Sequence, residues 1–386
     1  MNPIENPYRP GAGTKPTFLA GRDEVLKKAE ILIKRVKVGN PQRSIMLYGL
    51  RGVGKTVLLN KFFEIAESEF FIVEQIEMSE NDDFRKVITN HIRKILIKIS
   101  KFENAKEMLK KALGVFKAFS IAFPDGPEFK IDVDAIQGEA DSGDFESDLS
   151  DLFVNIGNAA KEESKNICIL IDETQYLKEK DMAALIASCH KISQKELPIV
   201  VICAGLPSIA ALTGDAKSYA ERLFEFIPIR NLEHPQDKMA LTEPARKFNV
   251  EYMPEAINEA INITKGYPYF IQELGKHTWD LSEKSPITYE DILKSKQITL
   301  KSLDDSFFKV RLDRAAGREK KLMYAMAELG QGPYLMADVA RSLKIKVSSL
   351  SPTRATLINK GFIYTPEFGY IEFTVPLFDD FLRRNN

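Results

Sequence analysis

The fold is decided by residues 44–56, which read Ser-Ile-Met-Leu-Tyr-Gly-Leu-Arg-Gly-Val-Gly-Lys-Thr. An apolar strand at 44–48 runs into a glycine-rich loop, and a helical pattern begins at Lys55 and continues to Glu67. Apolar residues resume at 69–78 as a second strand. The order strand, glycine loop, helix, strand is typical of a parallel sheet, so the sequence predicts an α/β fold with a parallel sheet as its core.

The loop from Gly49 to Thr56 matches the pattern G-x-x-x-x-G-K-[ST]. Glycines in such a loop let successive backbone N–H groups turn inward and cradle phosphate oxygens. The helix that starts at Lys55 adds the positive end of its dipole. Lys55 is a point charge for the β- and γ-phosphates, and Thr56 offers a hydroxyl to Mg²⁺. A glycine turn that binds nothing is the alternative, and the flanking strand and helix argue against it.

Two acids end a second apolar strand, Ile167-Cys-Ile-Leu-Ile-Asp172-Glu173. A carboxylate at the carboxyl end of a parallel strand faces the ligand crevice of an open sheet. Asp172 suits a water-mediated hold on Mg²⁺, which prefers to keep its waters. Glu173 suits a base that orients or deprotonates an attacking water. A solvated strand end is the alternative, and the phosphate loop earlier in the chain favours the catalytic interpretation.

Together the loop and Asp172-Glu173 resemble the Walker A and Walker B motifs of P-loop ATPases. Gly21-Arg22-Asp23-Glu24 resembles the segment that lies near the adenine in AAA+ proteins of the origin-recognition clade. Arg222 resembles the arginine finger of that clade, which reaches the γ-phosphate of a neighbouring subunit. A solvated arginine at a strand edge is the alternative for Arg222.

This resemblance implies ATP and Mg²⁺ as cofactors and a slow or moderate ATPase as the activity. The residues predicted to bind the nucleotide are Arg22, Gly49, Gly52, Val53, Gly54, Lys55, Thr56, Val57 and Pro268. The predicted catalytic residues are Glu173, Lys55 and Arg222, and the predicted metal ligands are Thr56 and Asp172.

Two features depart from the origin-recognition pattern. Gly266-Tyr267-Pro268 stands where that clade has its lid arginine, and it resembles the Gly-x-Pro motif of STAND signalling ATPases and related archaeal ATPases, whose proline packs near the nucleotide. The alternative is a helix start, because proline suits a first helical position. Cys203-Ala204-Gly205 lacks the Asn, Thr or Ser usual at the sensor 1 position. Both departures argue against fast hydrolysis and leave binding unaffected.

The C-terminal region resembles a winged helix-turn-helix domain, with helices predicted at 318–329, 336–343 and 348–360 and a hairpin at 362–373. Pro352 fits the third helix if Ser348 caps it, or if Ser351 caps it and Pro352 is its first residue. The third helix of such a domain enters the major groove of DNA. Predicted base contacts are Ser348, Ser349, Thr353, Arg354 and Thr356, and predicted phosphate contacts are Lys344, Lys346 and Lys360. The alternative is an internal switch, because a STAND winged helix often packs on the ATPase core.

Length and composition agree with two to three domains in 386 residues. We predict a P-loop ATPase core at 1–230, a helical lid at 231–298 and a winged helix-turn-helix domain at 299–386. The core carries a solvated acidic insert at 125–151. The chain holds 54 Lys and Arg against 55 Asp and Glu, which excludes a polybasic protein, and 44% hydrophobic residues exclude wholesale disorder.

Localisation follows from three weaker features. Cys168, Cys189 and Cys203 lie in apolar runs, which predicts buried free thiols in a reducing cytosol. The N-terminus shows no signal-peptide pattern, and no apolar run reaches the roughly 18 residues of a membrane span. We therefore expect a cytoplasmic protein without membrane contact.

The sequence as a whole predicts an ATP-binding AAA+-like ATPase that acts as a nucleotide-dependent switch. In the first hypothesis the winged helix carries the nucleotide state to duplex DNA, as in an initiator or a mobile-element helper. In the second, the chain is a STAND-like signalling ATPase that acts through protein partners without binding DNA. An arginine finger at Arg222 would imply a nucleotide-dependent oligomer.

Overall fold

The computed structural model describes residues 1–40, 42–100, 107–122 and 133–385. The chain divides into two compact units. The sheet unit comprises Glu24–Tyr48 and Leu58–Pro228. The C-terminal unit comprises Met1–Asp23, Gly49–Val57 and Ile229–Asn386.

A five-stranded parallel sheet is the centre of the sheet unit. Its strands are β1 (Ser44–Tyr48), β2 (Ile72–Glu77), β3 (Ile167–Asp172), β4 (Ile199–Gly205) and β5 (Phe224–Pro228). The strand order is β2-β3-β4-β1-β5, and each neighbouring pair is parallel. β3 and β4 are buried along their whole length, as their uninterrupted apolar sequence requires. The predicted α/β fold with a parallel sheet is confirmed.

The helices that alternate with these strands bury one apolar stripe each. They are α1 (Asp23–Lys37), α2 (Lys55–Ser68), α3 (Phe84–Ser100), α4 (Glu107–Ala122), α5 (Phe145–Glu162), α6 (Glu179–Gln194), α7 (Ile209–Ala216) and α8 (Ala220–Leu223). In α3, for example, Ile88, Ile92 and Leu96 recur every four residues and are fully buried. Helical periodicity in the sequence therefore marks the face that packs in the core of this unit.

The predicted acidic insert is structured where the structure describes it; residues 125–132 lie outside the described residues. Asp144 caps α5 by accepting the N–H of Ser147 at 3.1 Å. Asp148 is only 1% exposed, and its carboxylate accepts the N–H groups of Ser142 at 3.1 Å and Gly143 at 2.9 Å. The prediction of a solvated insert is wrong at Asp148, because this carboxylate closes a turn that composition alone does not reveal.

Helices dominate the first part of the C-terminal unit after Ile229. They are α9 (Gln236–Arg246), α10 (Pro254–Thr264), α11 (Pro268–Leu281) and α12 (Tyr289–Ser302), followed by a π-helical segment (Leu303–Phe308) and α13 (Lys309–Asp313). The predicted helical region after residue 231 is present as α9 to α12.

The N-terminal segment packs into this helical region. Tyr8 is 3% exposed, and its hydroxyl lies 2.8 Å from the hydroxyl of Tyr252. A Cβ on Gly275 would lie 2.4 Å from the Tyr8 ring, so α11 needs glycine there to let the ring approach. No motif or periodicity in the sequence indicates this anchor.

The last part of the chain combines short helices with a small antiparallel sheet. Its elements are α14 (Gly317–Glu328), β6 (Tyr334–Leu335), α15 (Met336–Ser342), α16 (Ser351–Asn359), β7 (Ile363–Tyr364), β8 (Tyr370–Phe373) and α17 (Phe378–Arg384). The strands pair in the order β6-β8-β7. The sequence analysis missed β6 and α17, which are both short.

The start of α16 lies near the later of the two predicted positions. A 3₁₀ turn covers Val347–Leu350, and the helix begins at Ser351 rather than at Ser348. Pro352 explains the shift, because a proline has no N–H to donate and is tolerated only in the first turn of a helix.

Cys168, Cys189 and Cys203 are buried and unpaired, as predicted. Burial raises the pKa of all three thiols, to about 12 at Cys189.

Within the described ranges, no helix combines the length and apolarity that crossing a bilayer requires.

Candidate active site

The glycine loop leaves the sheet at its carboxyl edge. Tyr48, the last residue of β1, pairs with Gly205 of β4 and Pro228 of β5. The loop begins at the next residue, Gly49. It therefore starts at the edge where ligands bind in open α/β sheets.

The backbone of the loop requires glycine at three positions. Gly52 and Gly54 have φ angles of +80° and +98°, a region that side chains rarely tolerate. A Cβ on Gly49 would lie 2.1 Å from the carbonyl oxygen of Ile229. These requirements leave a side-chain-free cradle of peptide groups, which fits the phosphate chain of a nucleotide.

Lys55 bends back over this cradle. Its ammonium donates to the carbonyl oxygens of Gly49 at 2.9 Å and Leu50 at 2.8 Å, and the residue is only 7% exposed. Thr56 and Val57 follow in the first turn of α2, whose N-terminus carries a partial positive charge. The predicted phosphate-binding cation and the helix end thus lie together in the loop.

Arg22 supports the loop from outside. Its guanidinium donates to the carbonyl oxygens of Val53 at 3.1 Å and Arg230 at 2.7 Å. Burial lowers the pKa of Arg22. The contact with Val53 shows that Arg22 fixes the backbone of the phosphate loop, which the resemblance to a segment near the adenine did not predict.

The acidic pair lies at the carboxyl edge of the sheet unit. Asp172 ends β3 with 2% exposure, and its Oδ1 accepts the N–H of Glu173 at 2.8 Å. Glu173 is in the left-handed region with φ +53°, which is uncommon for a residue other than glycine. Backbone strain of this kind concentrates at functional sites. Since β4 alone separates β3 from β1 in the sheet, the acids share an edge with the end of β1.

Gln175 is a residue that the sequence analysis missed. Its Nε2 donates to the carboxylate of Glu173, and its Oε1 accepts the N–H of Leu206 at 2.9 Å, directly after β4. Thr174 next to it donates to the carbonyl oxygen of Ala204 at 2.7 Å. These bonds attach the segment that carries Glu173 to the end of β4. In the sequence, the pattern Asp-Glu-x-Gln could have pointed to Gln175, which lies two residues after Glu173.

Arg222 lies at the opposite edge of the sheet. It is exposed on α8, two residues before Phe224, which pairs with Ser44 at the first position of β1. Arg222 therefore lies near the amino ends of β5 and β1.

The Gly266-Tyr267-Pro268 motif packs on the phosphate loop. Pro268 is the first residue of α11, which agrees with the helix-start interpretation. Tyr267 is fully buried, and its hydroxyl oxygen lies 2.9 Å from the position that a Cβ on Gly52 would take. The tyrosine of this motif therefore approaches the loop.

Several residues predicted to contact DNA are exposed in the C-terminal part of the chain. They are Lys344, Lys346, Ser348, Ser349 and Thr356, whereas Thr353 and Arg354 are half-buried. Arg354 donates to the hydroxyl of Thr365 at 2.7 Å. Lys360 does not project freely, because its ammonium lies 3.0 Å from the carboxylate of Glu319, which is 6% exposed. That ion pair joins α16 to α14, so Lys360 has a structural role.

No group of three or more His, Cys, Asp and Glu side chains that could hold a metal ion occurs in the part of the chain that the structure describes. Mg²⁺ is usually bound through one or two carboxylates and substrate phosphates rather than by an all-protein cage. Thr56 and Asp172 remain the predicted residues for that role.

The family comparison agrees with this arrangement. Residues 19–202 match the family model of the AAA ATPase domain. Residues 305–382 match a second model, described as a domain of unknown function (DUF8462). The region that matches the AAA ATPase model contains the phosphate loop, the acidic pair and Gln175, and no curated protein sequence matches the chain.

Three solved structures are similar to this chain to different degrees. The Walker-type ATPase PABY2304 of Pyrococcus abyssi has a TM-score of 0.58 at 16% identity, with 97% of this chain and 98% of that chain covered. Orc1 of Aeropyrum pernix, solved in complex with DNA, has a TM-score of 0.48 at 12% identity over 96% and 94% of the two chains. The RuvB Holliday junction branch migration motor of Thermotoga maritima has a TM-score of 0.46 at 15% identity over 91% and 92%. The first similarity shows that this chain and that solved structure share a fold along nearly their whole length.

Proposed function

We propose that this protein is an ATPase that binds Mg²⁺-ATP at the phosphate loop and hydrolyses it with a water oriented by Glu173. The observation that carries the proposal is the shared edge of the sheet: β1 leads into the glycine cradle, and β3 ends in Asp172 and Glu173. A cradle of backbone N–H groups and a lysine match a triphosphate, and two carboxylates at the carboxyl edge of the sheet match metal and water chemistry.

The residues divide this work. The N–H groups of the loop and the ammonium of Lys55 bind phosphate oxygens and neutralise their charge. The Thr56 hydroxyl and the Asp172 carboxylate would hold the metal, and Glu173 would accept a hydrogen bond from the attacking water. When bound, Mg²⁺ would offset the negative charge that develops on the phosphate oxygens during transfer. Arg222 serves the γ-phosphate of a neighbouring copy in a nucleotide-dependent oligomer.

Gln175 holds Glu173 in place. Replacing Gln175 with Met keeps the length of the side chain and removes both hydrogen bonds, so Glu173 loses its tie to β4. We expect kcat for ATP hydrolysis to fall about tenfold or more, since misplacement of a catalytic group is costly, while ATP affinity stays within about twofold.

The control is Gln75→Met, because Gln75 on β2 donates to Asn60 at 2.9 Å and does not contact Glu173. Equal kcat values in Q175M, Q75M and the wild type would remove Gln175 from this role.

We also propose that the chain has an ATPase core at 1–230, a helical lid at 231–298 and a winged helix-turn-helix domain at 299–386. Support for the last comes from the order of its elements. Helix α14, strand β6, helices α15 and α16 and the β7–β8 hairpin follow the order helix, strand, helix, helix, hairpin of a winged helix.

The first candidate for the output of the switch is duplex DNA. Residues 301–386 carry 14 bases and 10 acids, and the region before α16 exposes Lys344, Lys346, Ser348 and Ser349. Lysine and hydroxyl side chains on one exposed segment suit phosphate contacts.

DNA binding is tested by affinity across a salt series. We expect log Kd to change linearly with log salt concentration, with a slope equivalent to several phosphates. Replacing Lys344 and Lys346 with Ser should reduce that slope by about 2, since each phosphate contact contributes about 0.9. The control replaces Lys284 and Lys294, two exposed lysines near α12, and should leave the slope unchanged.

The second candidate is a signalling switch that acts through protein contacts. The N–H of Arg51, within the phosphate loop, donates to the carbonyl oxygen of Thr374, directly after β8, at 3.2 Å. The C-terminal region therefore contacts the phosphate loop itself, which favours an internal readout of the nucleotide. A flat or absent salt response with duplex DNA would favour this candidate over the first.

A further inference from the structure

The Tyr267 hydroxyl is a buried polar group without a visible role. Tyr267 is 0% exposed, and the structure gives its hydroxyl no hydrogen-bond partner among the described residues. Leaving a buried hydroxyl unpaired costs free energy, so such a group in a native fold calls for a reason. Tyr269, two residues on, shows the ordinary case, because its hydroxyl donates to Glu273 at 2.7 Å.

The backbone around Tyr267 is fixed on both sides. Gly266 has φ +69°, and a Cβ there would lie 2.1 Å from the carbonyl oxygen of Leu232. The carbonyl oxygen of Gly266 accepts the N–H of Leu232 at 2.8 Å, and Pro268 starts α11. This geometry requires glycine at position 266 and a residue that can start a helix at position 268. Tyr267 is therefore held rigidly against Gly52 of the phosphate loop.

The surroundings of the hydroxyl are cationic. Arg51 and Arg311 both act on Tyr267 electrostatically. Burial raises the pKa of Tyr267, and the two arginines oppose this rise only in part, so the hydroxyl keeps its proton at neutral pH. The Arg311 guanidinium lies 5.2 Å from the centre of the Phe307 ring, which in turn lies 5.0 Å from the Tyr269 ring beside the loop. A protonated hydroxyl in positive potential suits an anionic acceptor.

We propose that the Tyr267 hydroxyl donates a hydrogen bond to a phosphate oxygen of the nucleotide bound at the loop. This proposal rests on nucleotide binding at Gly49–Thr56 and adds a phosphate ligand from the helical region after Ile229. The phosphate oxygen is the hydrogen-bond acceptor that the hydroxyl lacks among the described residues. The contact would also make the position of Tyr267 in the helical region depend on whether a phosphate chain is bound at the loop.

The test compares Tyr267→Phe with Tyr269→Phe as the matched control. Each variant removes one hydroxyl from the same motif. We measure the affinities of ATP, ADP and inorganic tripolyphosphate, the last as a probe without base or ribose. Y267F should weaken ATP and tripolyphosphate by about the same factor, near tenfold, as expected for one lost charge-assisted hydrogen bond. Y269F should leave both affinities unchanged.

Thermal unfolding without nucleotide separates this role from a structural one. Y267F loses no hydrogen bond inside the protein, so its Tm should equal or exceed that of the wild type, whereas Y269F loses the bond to Glu273 and should unfold at lower temperature. Wild-type affinity for ATP in Y267F would overturn the proposal, and so would a weakened affinity accompanied by a lowered Tm. If the wild type itself bound no ATP, the proposed function would fail before this comparison began.

Discussion

Replacing Lys55 with Ala is expected to abolish ATP binding at concentrations where the wild type is saturated. The ammonium is anchored 2.9 Å and 2.8 Å from the carbonyl oxygens of Gly49 and Leu50 and is the cation within the glycine cradle. Charge-assisted hydrogen bonds contribute about 1.5–3 kcal/mol each, so losing contacts to two phosphates predicts a drop in affinity of about 100-fold or more. Titration of a fluorescent ATP analogue with Mg²⁺ measures it.

The control for this experiment is Lys61→Ala. Lys61 lies on the same helix, α2, and its ammonium pairs with Glu64. Removing it changes the net charge by the same amount as K55A does, without touching the cradle. An affinity of K55A within threefold of that of K61A would show that the phosphates bind elsewhere.

Glu173→Gln is expected to retain ATP binding and to lose hydrolysis. Glutamine keeps the size of the side chain and can still occupy the place beside Gln175, but it cannot accept a proton from water. General-base catalysis contributes about 10²–10⁴-fold, so kcat should fall by a factor in that range, while the Kd for ATP stays within about twofold. Phosphate release and equilibrium titration of the same preparation give the two numbers.

Glu179→Gln is the matched control, because Glu179 is an exposed acid at the start of α6, six residues further along the chain. Its kcat should equal that of the wild type. A Glu173→Gln enzyme with undiminished turnover would assign the water to another residue and leave the acidic pair with a metal-binding role alone.

Elements with a strong local pattern could be predicted from the sequence. The apolar runs of β3 and β4 identified central strands, and the spacing of Gly49, Gly52 and Gly54 identified a loop that needs positive φ angles. Both signals lie within a few consecutive residues and depend on backbone geometry. Lys55 and the acidic pair belong to such local patterns, and the sequence alone therefore predicted them as candidate site residues.

Contacts between distant residues could not be predicted. Tyr8 reaches Tyr252 across more than 240 positions, and Arg22 reaches Val53 and Arg230. No periodicity encodes such pairs, since they depend on which surfaces the complete fold brings together. Lys360 was assigned to DNA phosphates for this reason, because its partner lies on another helix, and the Gln175 amide went unnoticed although it is two residues from Glu173.

A structure determined with Mg²⁺ and a non-hydrolysable ATP analogue tests the central claim most directly. The result we predict has the β- and γ-phosphates held by the N–H groups of Gly52–Thr56 and by the ammonium of Lys55, with Asp172 and Glu173 on the γ-phosphate side. A triphosphate bound away from this loop, or carboxylates of Asp172 and Glu173 turned away from the γ-phosphate, would contradict it.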